Sequence, residues 1–168
     1  MKNLGKVFEN NFRLSIPKTP NVFYYRLKDS ATSYYGGNEF LRFSQSNIAD
    51  AFLLHTTQYA KSTHTNLLIL ELKNHKGKSL PYNAIRENQL SEMTKASEYN
   101  NVVPLLIVFF SDIERCFALH IIKVMKFIQE SERKSIPIEF FEQEGTEIEV
   151  IKLRTNYRYN IEKFLEMY

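Results

Sequence analysis

The chain has 168 residues, 43% hydrophobic and 24% charged, a size and composition that support one compact domain with a full core. Its net charge of +3 permits an anionic partner without demanding one, and no block of about five or six like charges is present, so any nucleic-acid surface has to be assembled by folding. The single Cys116 excludes an internal disulfide and a cysteine-based zinc cluster and fits a reducing compartment.

Leu4, Val7, Phe8 and Phe12 fall at helical spacing, so residues 3–14 are expected to form an amphipathic helix that ends before Pro17 and Pro20. Val22 to Leu27 reads as a strand. Residues 29–46 have no clear period and carry Gly36, Gly37, Tyr34, Tyr35, Phe40 and Phe43, an aromatic-rich excursion of a length that is uncommon inside a compact domain and often functional. Ile48 to Leu54 is expected as a strand, residues 55–65 as its polar turn, and Asn66 to Lys73 as a third strand. Lys76, Gly77 and Lys78 make a basic turn. Residues 83–98 form the clearest helix, with Ile85, Gln89, Met93 and Ala96 down one face.

Val102 to Phe110 reads as a buried strand. It is the longest apolar stretch, is interrupted by Pro104, and is far shorter than the about 20 residues a bilayer span needs. With no apolar signal core after Met1, a cytoplasmic protein is expected. Arg115 to Ile121 follows as a strand and residues 122–131 as a helix. The tail reads as a short helix from Pro137 to Glu144 closed by Gly145, a strand over 147–153 and a helix over 159–167. This order predicts an α/β fold, a mixed sheet flanked by helices.

Glu-x-Lys occurs twice, as Glu71-Leu72-Lys73 and Glu132-Arg133-Lys134. The second copy lies in a run of solvated charges and reads as surface. The first ends an apolar run. Side chains alternate along a strand, so Glu71 and Lys73 share a face, and charges at the end of a buried strand need partners or a task. Asp50 stands between Ala49 and Ala51 in the preceding strand, and pairing of the two strands would bring it beside Glu71. Two carboxylates are a sufficient protein contribution to a Mg²⁺ site completed by water and phosphate. Such an ion stabilises charge on phosphorus and makes hydroxide available near neutral pH. On spacing alone, the same residues also fit a structural Asp50 cap and a Glu71–Lys73 surface pair. Gln89 adds an inward amide from the helix, and Glu9 flanks the apolar stripe of the first helix. His75 is a candidate phosphate contact, while His55, His64 and His120 show no ligand spacing.

The pattern resembles the restriction-endonuclease-like nucleases, which share an Asp followed by Glu-x-Lys on the next strand, and more narrowly the RecU-type Holliday junction resolvases of Gram-positive bacteria and their phages. Gly5-Lys6-x-Phe8-Glu9 is similar to that family's opening helix, and Phe40-Leu41-Arg42 with Ser44 to the stretch leading to its metal-binding Asp, here Asp50. Glu71-Leu72-Lys73 is similar to its Glu-Ala-Lys, Asn88-Gln89-Leu90 to its His-Gln-Ile segment, and Arg133-Lys134-Ser135-Ile136-Pro137 with Gly145 to its C-terminal Lys-Ser-Ile region. Two departures mark a divergent, phage-type member. Ile48-Ala49 replaces a pair of threonines before the Asp, and the segment between Asp50 and Glu71, with residues 55–65 as an added hairpin, is long for the family.

The resemblance implies a restriction-endonuclease-like domain over residues 1–168, with 29–46 as a projecting stalk and 133–168 as a C-terminal extension on the core. It implies a homodimer that acts on branched, four-way DNA with Mg²⁺, or Mn²⁺ as a substitute, and with neither an organic cofactor nor a membrane. Asp50 and Glu71 are then the metal ligands. Lys73 and Gln89 position water and phosphate, Glu9 gives secondary support, and Tyr34, Tyr35, Phe40, Arg42, Lys76 and Lys78 contact DNA. The stalk aromatics are equally suited to stacking on unpaired bases and to packing a dimer interface.

Overall fold

The computed structural model describes residues 3–27, 47–59 and 62–168. The expected stalk and its candidate DNA contacts Tyr34, Tyr35, Phe40 and Arg42 lie outside the described residues.

The first helix, α1 (Leu4–Arg13), starts at Asn3, whose side chain accepts the Lys6 N–H at 3.3 Å and so satisfies one open donor of the first turn. Strand β1 (Val22–Arg26) follows, then β2 (Ala51–Tyr59), β3 (Ser62–His75) and a short β4 (Ser79–Pro81). A single 3-10 turn leads into α2 (Glu87–Ala96). After it come β5 (Val102–Phe110), β6 (Arg115–His120), α3 (Ile121–Glu130), β7 (Ser135–Pro137), α4 (Ile138–Glu144), β8 (Thr146–Ile148), β9 (Val150–Lys152), β10 (Tyr157–Tyr159) and α5 (Ile161–Leu165).

Six strands make the main sheet in the order β1-β2-β3-β5-β6-β8. The central β3–β5 pair is parallel and the other pairs are antiparallel, so the sheet is mixed, as expected. Helices cover both faces. Leu105, Ile107 and Phe109 of β5 pack with Phe8 and Phe12 of α1 and with Ile161, Phe164 and Leu165 of α5. The alternate residues Leu106, Val108 and Phe110 pack with Met93 of α2, Val124 of α3 and Phe141 of α4. Burial on both faces is why Val102 to Phe110 carries no polar side chain.

Aromatic contacts fill the two layers. Phe8 stacks on Phe109 with ring centroids 5.7 Å apart and meets the edge of Tyr159 at 5.3 Å, while Phe110 and Phe141 meet edge to face at 5.3 Å. Pairs of this kind contribute about 0.5–1.5 kcal/mol each beyond their buried area.

Four expectations are corrected. The second strand starts at Ala51, so Asp50 precedes it in a bend instead of interrupting it. Residues 55–65 are no simple polar turn but the added hairpin expected from the resemblance, on a β2–β3 ladder that runs from Ala51↔Leu70 out to Tyr59↔Ser62. Threonines on both strands favour the pleated backbone, and Thr56 and Thr65 link their hydroxyls across it at 3.1 Å. The expected strand 147–153 is two strands, because β8 closes the main sheet beside β6 whereas β9 pairs with β10. Just past the basic turn and in the Lys-Ser-Ile segment lie short strands, β4 and β7, which pair with Leu80 opposite Ile136.

Gly145 sits where α4 turns into β8. A Cβ there would lie 2.6 Å from the Phe141 carbonyl oxygen and 3.0 Å from that of Ala118, both backbone atoms that cannot swing away. Gly145→Ala is expected to destabilise the fold by about 1–3 kcal/mol, the range for forced overpacking. An unchanged urea midpoint would show that this corner has slack.

Candidate active site

The ladder between β2 and β3 stops at Ala51↔Leu70, but β3 continues to His75. Asp50 occupies the position just beyond. Its N–H donates to the Leu70 carbonyl at 3.0 Å, its own carbonyl accepts the Leu27 N–H at 2.8 Å, and its carboxylate Oδ2 accepts the Leu72 N–H at 2.8 Å. The side chain thus takes over the ladder position that β2 has vacated, which fixes a carboxylate at the sheet's edge.

Leu70 and Leu72 point into the layer under α1, so Glu71 points to the opposite face, toward α2. Glu71 is completely buried. Its Oε2 accepts from Gln89 Nε2 at 2.7 Å. Gln89 is itself buried, and its Oε1 accepts the Arg86 N–H at 3.3 Å, which sets the amide so that its NH₂ faces the carboxylate. Glu71 Oε1 forms an ion pair with Lys73 Nζ at 2.6 Å. The Lys73 side chain remains 23% exposed and so bridges the buried acid and solvent. Burial pushes the Glu71 carboxyl up to about 7. The neighbouring Asp50 charge adds to the rise, and Lys73 and Gln89 oppose it.

The other side of the sheet edge carries a second group. Glu9 on α1 accepts from Arg26 of β1 through Nε at 3.0 Å and Nη2 at 2.7 Å. Tyr24, two residues back on the same face, has its hydroxyl pushed up to about 12, chiefly by burial; Arg26 opposes this, and the Glu9 and Asp50 charges add to it. Asp50 therefore stands between two clusters, Glu71–Gln89–Lys73 on one side and Glu9–Arg26–Tyr24 on the other. Arg26 and Tyr24 were not singled out from the sequence. Arg26 does, however, end an apolar strand as Lys73 does, and that shared pattern was the available signal.

Lys76 and Lys78 are exposed on the turn beyond β3. Gly77 takes a φ of 88°, a left-handed conformation that glycine adopts without strain, and its N–H donates to Asp112. The turn is tied to the C-terminal segment, where the Lys78 carbonyl accepts the Ile138 N–H and Ser79 Oγ donates to Ser135 Oγ at 2.6 Å. His75 packs edge-on against Phe110.

Asp50 and Glu71 suit a hard divalent cation. Both are carboxylates, they lie close enough for each charge to act on the other, and Glu71 Oε1 is buried beside the Lys73 ammonium. Among the described residues no group of three His, Cys, Asp or Glu gathers round one point. Mg²⁺ commonly takes one or two carboxylates and fills its shell with water and phosphate.

A six-stranded mixed sheet with helices on both faces, and Asp, Glu and Lys gathered at one strand edge, is the architecture of the restriction-endonuclease-like nucleases. The chain belongs to the RecU family, recombination protein U, whose family model matches residues 41–163. That family resolves Holliday junctions and acts on branched DNA as a nuclease. The chain is also 27% identical over 176 residues to a prophage-derived uncharacterized protein, YotM of SPbeta in Bacillus subtilis strain 168, across 96% of this chain and 84% of that protein. A prophage relative agrees with the expected divergent, phage-type member. No helix among the described residues is long and apolar enough to cross a membrane.

The raised Glu71 carboxyl has a stability consequence. The folded chain holds a proton that the unfolded chain releases near 4.5, so this contribution to stability is full below that value and is lost as pH rises through about 7. With divalent ions chelated, Glu71→Gln should gain on the wild type by on the order of 2–3 kcal/mol between about pH 5 and pH 8. Denaturant melts at the two pH values would measure the gap, and a constant gap would show that Glu71 titrates normally.

Proposed function

We propose that the chain is a Mg²⁺-dependent endodeoxyribonuclease that resolves four-way junctions by paired symmetric nicks, working as a homodimer with one site per protomer. The observation that carries this reading is the convergence of Asp50, the buried Glu71, Lys73 and Gln89 at one sheet edge, in a chain of a junction-resolving family.

Asp50 and Glu71 would hold the ion, which when bound supplies charge stabilisation at phosphorus and a supply of hydroxide. Asp50 is held for that task by the Leu72 N–H, so its carboxylate does not have to reorganise when DNA arrives. Gln89 steadies the Glu71 oxygen it donates to, and leaves the other facing Lys73. The partly exposed Lys73 ammonium is placed to orient a water molecule beside the carboxylates and to meet the scissile phosphate. Glu9 supports the site indirectly, by holding Arg26 beside the strand that leads to Asp50. The nicks would leave 5′-phosphate and 3′-hydroxyl ends. Lys76 and Lys78 would hold the backbone, while the 29–46 stalk, with Tyr34, Tyr35, Phe40 and Arg42, enters the open centre of the junction.

A labelled four-way junction, with duplex, flap and single-stranded controls, tests this in the presence and absence of Mg²⁺. Symmetric cutting of the junction with Mg²⁺ alone is expected, and equal cutting of every substrate would replace the resolvase reading with a general nuclease. Asp50→Asn should lower the cleavage rate by about 10²–10³-fold or more while junction binding persists. Gln89→Ala should cost less, about 10–100-fold, because it acts through Glu71. If Asp50→Asn cut at the wild-type rate, the site would lie elsewhere.

A further inference from the structure

We infer that Phe23 and Tyr25 form a base-stacking platform beside the carboxylates, which holds nucleotides left unpaired at the branch of the DNA. The inference rests on the junction-nuclease reading and deepens it by assigning contacts to bases, which the site itself does not include.

The platform follows from strand register. Side chains alternate along β1, so Val22 and Tyr24 turn to the layer under α1 and Phe23 and Tyr25 to the opposite face. Tyr25 pairs with Phe52, and Phe52 with Ile69. Phe23 pairs with Leu54, and Leu54 with Leu67. Phe52, Leu67 and Ile69 belong to the layer under α2, the face that Glu71 also meets. One pair beyond Arg26↔Ala51, Leu27 donates its N–H to the Asp50 carbonyl at 2.8 Å, and on β3 Glu71 follows Leu70. The row of Tyr25 is therefore the next row of side chains to the one that carries Asp50 and Glu71. Phe23 is 59% exposed, Tyr25 49% and Leu54 38%. A scattered apolar side chain at the surface needs no explanation, but three neighbours on two strands form a patch.

The patch suits bases. Its two rows, Phe23–Leu54–Leu67 and Tyr25–Phe52–Ile69, hold no charged side chain, so they offer a phosphate nothing, whereas an aromatic face stacks on any base. Phe23 and Tyr25 are two residues apart, about 6.6 Å along the strand. Successive bases rise by about 3.4 Å, so one flat base fits between the two rings. A second copy of the chain is the other candidate occupant. A protein seated on Tyr25 would also crowd the next row, where DNA has to reach Asp50 and Glu71, and the place of the platform beside the site therefore favours DNA. The platform lies on β1, apart from the aromatics expected in residues 29–46.

Fluorescence anisotropy with a labelled four-way junction, in chelator so that nothing is cut, tests the platform. Phe23→Leu/Tyr25→Leu keeps apolar side chains and removes both rings. It should weaken junction binding about tenfold or more, the loss expected when stacked bases lose their aromatic partners. The slope of log affinity against log salt should stay at the wild-type value, because no phosphate contact is lost. Phe23→Tyr/Tyr25→Phe keeps both rings and should bind as the wild type does. A junction with abasic residues at the branch should cost the wild type a similar factor and cost the leucine variant nothing further. Unchanged affinity in the leucine variant, or a wild type indifferent to the abasic junction, would overturn the platform and leave the nuclease reading standing. A lower molar mass of the leucine variant in sedimentation would also overturn it, since the patch would then be an interface between copies. A wild type that binds neither junction nor duplex would sink the nuclease reading and the platform together.

Discussion

The arrangement of the site depends on one hydrogen bond, from the Leu72 N–H to the Asp50 carboxylate. A strand that outruns its neighbour leaves backbone donors without partners, and a donor shut away from water is costly. Here the neighbour's last residue before the strand answers with its side chain. One contact therefore closes the ladder and fixes a carboxylate beside the residue whose neighbours on β3 are Leu70 and Leu72. Moving the start of β2 by one residue would reverse which face each of its side chains meets and would carry Asp50 away from Glu71.

A second constraint is the burial of Glu71. A carboxylate removed from water is expensive, and removing its partners would leave the charge uncompensated. Two neighbours offset part of the cost, Gln89 with a donated hydrogen bond and Lys73 with its charge, yet the group is still held well above the usual carboxylate range. The fold thus keeps an acid in an unfavourable state where an apolar residue would pack without penalty. Such a placement is typical of functional sites and of little use to a scaffold.

The relative placement of the candidate site residues was more legible in the sequence than the outlying strands. Glu71 and Lys73 could be placed on one face because strand alternation is a local rule, and Gln89 on an inward stripe because helical spacing is one too. Both main sheet layers followed from apolar runs such as Val102 to Phe110. What failed was long-range or balanced by weak forces. The β2–β3 hairpin is polar on both strands beyond His55, so no hydrophobic period marked it, and backbone pairing alone carries it out to Tyr59↔Ser62. The short β4 and β7 are far apart in the chain, and their pairing comes from tertiary contact at Leu80 and Ile136. The Glu9–Arg26 pair spans two elements whose meeting no local pattern encodes.

Those long-range contacts also explain why distant pieces of the chain bear on one edge of the sheet. The segment Arg133 to Pro137 carries no candidate catalytic residue, yet β7 lies against β4, and Ser135 holds Ser79 next to the turn of Lys76 and Lys78. Its recurrence in the family pattern then has a mechanical reading, as a brace for the loop that leaves the site. On the opposite flank, α1 is braced by Phe8 and Phe12 against Phe109 and Tyr159, which sets the height of Glu9 over Arg26. The carboxylates sit between these two flanks. In the proposed reading, the two flanks hold the frame of the site, while the chemistry at Asp50 and Glu71 is indifferent to DNA shape.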